Sequence, residues 1–294
     1  MKKNIIIPAI FLALFILPFN NIKAAEEEKF KIDTEFSTNK LKLRENTFIL
    51  DYKYEDVTGD NIKDDILLLG HKNSNTQNTW SDDIYIILQD GKSNRYSKFS
   101  IGKINYGYNS KMFLGDFNGD KVDDIFVKVC NGKETGAYYS LISLIKNKAL
   151  YLFEQKKFSL GIPFDINYVD DFKVNIFCKD INKSYTTDVS NKKNIYINSE
   201  VYNSIGEVLK ETKGIQSSLE ELHPIDIDKD GVYELKGVQK LRGFCYADVV
   251  GYAKSIWKYD GSKMKLIKLD ITSINKSENI KNAQNVLPVG IFKN

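Results

Sequence analysis

A chain of 294 residues that is 42% hydrophobic and 12% aromatic can bury a large core, which excludes global disorder. Its formal charge of +3 sits entirely at the start: Lys2, Lys3 and Lys23 fall within the first 24 residues, which hold no acidic side chain, so the remainder is formally neutral. A neutral remainder gives no electrostatic reason to expect nucleic acid or an anionic membrane surface as a partner.

In chain order, Lys2 and Lys3 precede an apolar run from Ile5 to Phe19, then Asn20, Asn21 and the small pair Ala24 and Ala25. Charged, apolar and then cleavable is the order of a secretory signal, here read as residues 1–24 with cleavage after Ala24. The run is shorter than the roughly 20 apolar residues that span a bilayer, and Pro8 and Pro18 interrupt it. No membrane span is therefore expected after cleavage, and the product is expected to be secreted or at the cell surface. Residues 25–47 form a charged N-terminal segment whose opening, "AEEEKFKIDTEF", reads as helical, as does "SIGEVLKE" further on. The rest, 48–294, reads as one β-domain. "FILDYKY", "DDIYIILQD", "YYSLISLI", "FKVNIFC", "NIYINSEVY" and "KMKLIKLD" are short, rich in β-branched and aromatic residues, and separated by polar turns. Cys130 and Cys178 end apolar runs and, with Cys245, are too few and too dispersed for a disulfide scaffold.

An acidic repeat selects among all-β architectures. "DVTGDNIKDDILLLG" starts at Asp56, "DFNGDKVDDIFVKV" at Asp116 and "DIDKDGVYELKGV" at Asp226, 60 and 110 residues apart. A period of about 55 to 60, with one degenerate copy near residue 170, is of the order that repeated β-sheet blades produce. The sequence thus predicts an all-β fold, a β-propeller or propeller-like array of four to five blades, with an incomplete ring allowed.

Side-chain oxygens at positions one, three and five of a tight loop, a backbone carbonyl at seven and a carboxylate at nine suit a hard cation of calcium size. The first loop offers Asp56, Thr58, Asp60, the carbonyl of Ile62, and Asp64, with Asp65 as a spare carboxylate. The second offers Asp116, Asn118, Asp120, the Val122 carbonyl and Asp124, and the third Asp226, Asp228, Asp230, the Val232 carbonyl and Glu234. Two to three calcium ions are expected. Magnesium demands stricter octahedral geometry, and zinc prefers nitrogen and sulfur ligands that are not clustered here. An EF-hand is excluded, because its twelfth-position glutamate is replaced by Leu67, Val127 and Gly237. The third loop carries four carboxylates against three in each of the others, and its sixth residue is Gly231. Asn61 tolerates a left-handed turn there and Lys121 tolerates it poorly, so the third loop is expected to bind tightest.

"DFNGDKVDDIFV" resembles the calcium loop of FG-GAP and VCBS repeats, the blades of integrin α-chain-like propellers, and the other two loops look like the same element. With the signal-like start, the order is similar to that of secreted VCBS-repeat proteins of Gram-positive bacteria. The resemblance implies a propeller-like fold, calcium in the loops and a role in extracellular interaction.

No H-E-x-x-H, G-x-S-x-G or phosphate-loop motif is present, and His71 and His223 both read as loop residues. A non-enzymatic binding module is expected, its partner an extracellular protein or glycan. The Tyr-rich stretches "INYGYNS" and "ETGAYYS" either face that partner or pack between blades. The alternatives are a carbohydrate-active enzyme using Asp82, Asp83 or Glu134, and a structural protein of the cell or spore surface.

Overall fold

The computed structural model describes residues 29–73, 79–132, 136–145 and 147–273. The signal-like segment and Glu134 lie outside the described residues. Among those described the fold is all-β, built from antiparallel meanders, with no sheet closed into a barrel.

The first meander comprises β1 (Thr47–Glu55), β2 (Asp64–His71), β3 (Trp80–Gln89) and β4 (Tyr96–Ser100). The second comprises β5 (Gly107–Gly115), β6 (Asp124–Cys130), β7 (Ala137–Ile145) and β8 (Lys148–Tyr151). A short pairing of Trp80 and Ser81 with Tyr108 and Gly107 joins them into one eight-stranded sheet. The third meander, β9 (Phe164–Val169), β10 (Lys173–Cys178) and β11 (Lys183–Asp188), has three strands and no acidic loop. β12 (Leu219–Ile225), β13 (Glu234–Arg242), β14 (Val249–Tyr259) and β15 (Met264–Ser273) complete the fourth.

Successive strand residues point to opposite faces, so continuous apolar runs bury both. Ile66 and Leu68 of β2 join Ile84, Ile86, Ile125 and Val127 in a core between the first two meanders. Leu67 and Leu69 point the other way, under Phe30, Phe36, Leu41 and Leu43 of the N-terminal segment. Phe126, Tyr139 and Leu141 of the second meander meet Leu219, Leu222 and Leu235 of the fourth. At its other end the fourth packs Leu241, Val250 and Ala253 against Ile166, Val174 and Ile176 of the third. The packing order is therefore first, second, fourth, third.

Two glutamines secure the ends of these cores. Gln155 Nε2 donates to the carbonyls of Ile101 and Ile104, and its Oε1 accepts from Ile104 N–H; Gln239 does the same for the N–H and carbonyl of Ile162. Each satisfies backbone groups that burial would otherwise orphan.

Three local expectations are corrected. "NIYINSEVY" is not a strand: α2 (Lys193–Asn198), the longer of two short helices with α1 (Gln155–Ser159), occupies its first half. One helical turn sends Tyr196 inward to donate its hydroxyl to buried Asp248 at 2.8 Å, while Ile195 stays 55% exposed. "SIGEVLKE" is not a helix, because Gly206 takes a φ of +93° and the Asn203 side-chain oxygen accepts the N–H groups of Ile205 and Glu207. The described part of "AEEEKFKIDTEF" is not helical either. It runs along the edge of β1, with Phe36 N–H to Thr47 carbonyl and Ile49 N–H to Thr34 carbonyl, and thereby covers an exposed strand edge.

Candidate metal centre

Each acidic loop connects the first strand of a meander to its second: β1 to β2, β5 to β6, and β12 to β13. The loops share a hydrogen-bond pattern. The first aspartate accepts the N–H of the sixth residue, at 2.7 Å (Asp56 from Asn61), 2.8 Å (Asp116 from Lys121) and 3.1 Å (Asp226 from Gly231). The fifth accepts from the seventh: Asp60 from Ile62, Asp120 from Val122, Asp230 from Val232. The ninth reaches back to the N–H of the second: Asp64 to Val57, Asp124 to Phe117, Glu234 to Ile227.

Backbone conformation repeats as well. Position four is left-handed at Gly59, Gly119 and Lys229, and position six at Asn61, Lys121 and Gly231. Lys121 thus adopts, at φ +67°, the turn it was expected to tolerate poorly. The second left-handed residue, at position four, was missed in the sequence, although the glycines in "TGD" and "NGD" signal it.

The ninth carboxylates, Asp64, Asp124 and Glu234, are buried, whereas positions three and five are half-buried or exposed. Burial pushes the Asp124 carboxyl up to about 7, and repulsion from Asp120 and Asp116 adds to this; hydrogen bonds from Ser143 and Phe117 N–H oppose it. Asp64 is raised, chiefly by burial. Burial also acts upward on Asp56, but the N–H groups of Gly59, Asn61 and Thr58 outweigh it and hold this carboxyl low. In the third loop, carboxylate oxygens of Asp226, Asp228 and Asp230 lie within 4.8 Å of one another. An oxygen-only set with a buried ninth carboxylate fits calcium, which accepts irregular geometry and mixed carboxylate and carbonyl ligands.

The loops also touch. Tyr233 N–H donates to the Asp116 carbonyl at 2.7 Å, a parallel bridge pairs Asp116 with Val232, and the Tyr233 ring packs on Phe113 and Phe117. Between the first and second loops a cleft of about 440 Å³ is lined by Thr58, Asp60, Asp90, Asp120, Val122 and Ser143, among others. The spare carboxylate, Asp65, points elsewhere: it accepts from Tyr52 hydroxyl and pairs with Lys29.

Outside the loops, Asp82 accepts from Arg44 at 3.3 Å and lies 2.7 Å from Nδ1 of buried His71, while His223 lies 3.4 Å from Glu221. His71 ends β2 rather than lying in a loop, and His223 lies within β12. Of the tyrosine-rich stretches, Tyr106 is exposed and Tyr139 is fully buried between the second and fourth meanders.

The comparisons with known proteins point to one family. The family model for the YybI C-terminal domain matches residues 162–272, which hold the third and fourth meanders. A relative from Bacillus subtilis (strain 168), designated "Uncharacterized protein YybI", is 30% identical over 218 residues, covering 74% of this chain and 82% of the relative. No solved structure matches. These findings overturn the resemblance to FG-GAP, VCBS and integrin α-like repeats. A nine-residue loop of turn-favouring Asp, Asn and Gly ahead of a strand is short enough to arise on unrelated β-scaffolds, so the likeness lay in the loop and not in descent. By its match to YybI over most of both lengths, the chain belongs to the YybI family.

Proposed function

We propose that this protein is a secreted, non-enzymatic, calcium-stabilised binding module that engages an extracellular protein or glycan. The observation that carries the proposal is the triple recurrence of one loop geometry, at the same strand connection in three meanders, with side-chain oxygens at positions one, three, five and nine and a backbone carbonyl at seven that could serve as ligands. Calcium would neutralise carboxylates that otherwise repel within a nine-residue turn, and through the contacting loops would tie the first, second and fourth meanders together. We further propose that the four meanders form an open, propeller-like array of blades. The apolar clusters that pack the meanders in the order first, second, fourth, third support this, as does the N-terminal segment that covers the outer face of the first. Export is supported by the signal-like start, and extracellular calcium at about 10⁻³ M suits modules of modest affinity.

Calorimetric titration of calcium into the chelator-treated exported chain, residues 25–294, tests the reading. Binding should raise the melting temperature, since a hundredfold excess over Kd adds about 2.7 kcal/mol of stability. Asp116→Ala with Asp120→Ala should reduce both the number of ions bound and the thermal gain. A flat titration at millimolar calcium, with unchanged melting, would remove the calcium sites.

A further inference from the structure

The ninth carboxylates are held alike, but what faces each across the sheet differs. In the first meander Asp65 pairs with Gln89, so one register step further Asp64 faces Asp90. In the second, Ile125 pairs with Ile142, and Asp124 faces Ser143, which hydrogen-bonds to it. In the fourth, Leu235 pairs with Trp257, and Glu234 faces Lys258. One structural position thus presents a carboxylate, a hydroxyl and an ammonium in turn.

The ammonium already sits where a cation would. Lys258 Nζ lies 2.7 Å from Glu234 Oε1, 3.8 Å from Asp230 Oδ2 and 3.9 Å from Asp228 Oδ2. Glu234 is 2% exposed, so its charge is satisfied by this contact and by the Ile227 N–H rather than by water. The first loop has the opposite surroundings. There the facing residue is the buried Asp90, whose carboxylate accepts from Ser93 N–H and the Asn147 side-chain amide, and the exposed Lys92 reaches only to 3.8 Å from Asp60. The second loop is intermediate, with Ser143 accepting from Asn118 at 3.2 Å.

We propose that the residue facing position nine selects the cation of each loop, and that the third loop is closed by Lys258 while calcium occupies the first and second. This rests on the calcium reading above and deepens it. It inverts the order that ligand charge alone gives, because the four carboxylates of the third loop include three already engaged by an internal cation. Calcium entry there requires Lys258 to leave, with two positive charges repelling a third at about 4 Å in a partly buried site. The first two loops adjoin one cleft, so their ions would be neighbours, whereas the third loop meets the second through backbone and Tyr233.

The test compares ion counts by calorimetry, with melting temperature followed in parallel, on chelator-treated exported chains. Lys258→Ser, which copies the second meander, should bind one ion more than the unaltered chain or tighten its weakest site by about tenfold or more. Asp228→Asn with Asp230→Asn, which leaves the pair of Lys258 with buried Glu234 in place, should leave the ion count of the unaltered chain unchanged. If the Ser variant gains nothing in number or affinity, or if the double variant loses an ion, the assignment of Lys258 is overturned while the calcium reading stands. No binding by any of the three chains would overturn both.

Discussion

Asp124 lies under the second loop at 1% exposure with its carboxyl pushed up to about 7, against 3.8 in an unfolded chain. Between those values the folded protein holds a proton that the unfolded chain releases, so stability falls as pH rises from about 4 to about 7. Asp64 and Asp123 are shifted in the same direction, chiefly by burial. Asp90 and Asp188, held low by hydrogen bonds to Ser93 and Ser190 among others, act oppositely: they add stability above about 4 and lose it only as pH falls below. Chelator-treated protein should therefore melt higher at pH 5 than at pH 7.5, and Asp124→Asn should flatten that slope. A melting temperature that climbs over this interval, or a slope unaltered in the variant, would contradict the account. None of this was legible in "DFNGDKVDDIFV", where Asp123 and Asp124 look alike; strand alternation half-buries one and fully buries the other.

At the scale of the element, the acidic loop depends on two left-handed residues, and Gly119 is one of them. An added Cβ at Gly119 would meet nothing within 4 Å, so Gly119→Ala isolates the backbone cost at φ +81°. Urea unfolding should show a loss of about 1–2 kcal/mol, and a neutral variant would mean the loop relaxes to another turn. The strands themselves were well marked, since "FILDYKY", "YYSLISLI" and "FKVNIFC" fall within or almost within β1, β7 and β10. "NIYINSEVY" carried the same local signal and became helical, because the buried Asp248 accepts from Tyr196 as well as Tyr168 and pairs with Lys192 at 3.3 Å. Short apolar runs do not distinguish strand from helix until their partners are known.

At the scale of the whole molecule, single hydrogen bonds across packed faces set how meanders lock together. Tyr139, fully buried in the second meander, accepts the Leu222 N–H of the fourth at 3.1 Å. Tyr139→Phe leaves that amide buried without its partner and should cost about 1–3 kcal/mol in denaturant unfolding. Tyr138→Phe, on the neighbouring half-buried side chain, serves as the control and should change little. Equal effects of the two would show that the inter-meander bond contributes nothing measurable.

The sequence by itself determined the β-class, most strand positions, the three loops and the spacing of their oxygen atoms, because alternation and turn chemistry act between residues close along the chain. Its loop pattern also suggested a kinship that the match to YybI corrects. Only the tertiary structure decided that the second meander packs on the fourth, and that Asp90, Ser143 and Lys258 occupy equivalent places. Those relations join residues about 20 to more than 80 positions apart. They follow from which faces bury the most apolar surface together and from strand register, and a shift of one residue would send Lys258 to the opposite face and leave Glu234 without its ammonium.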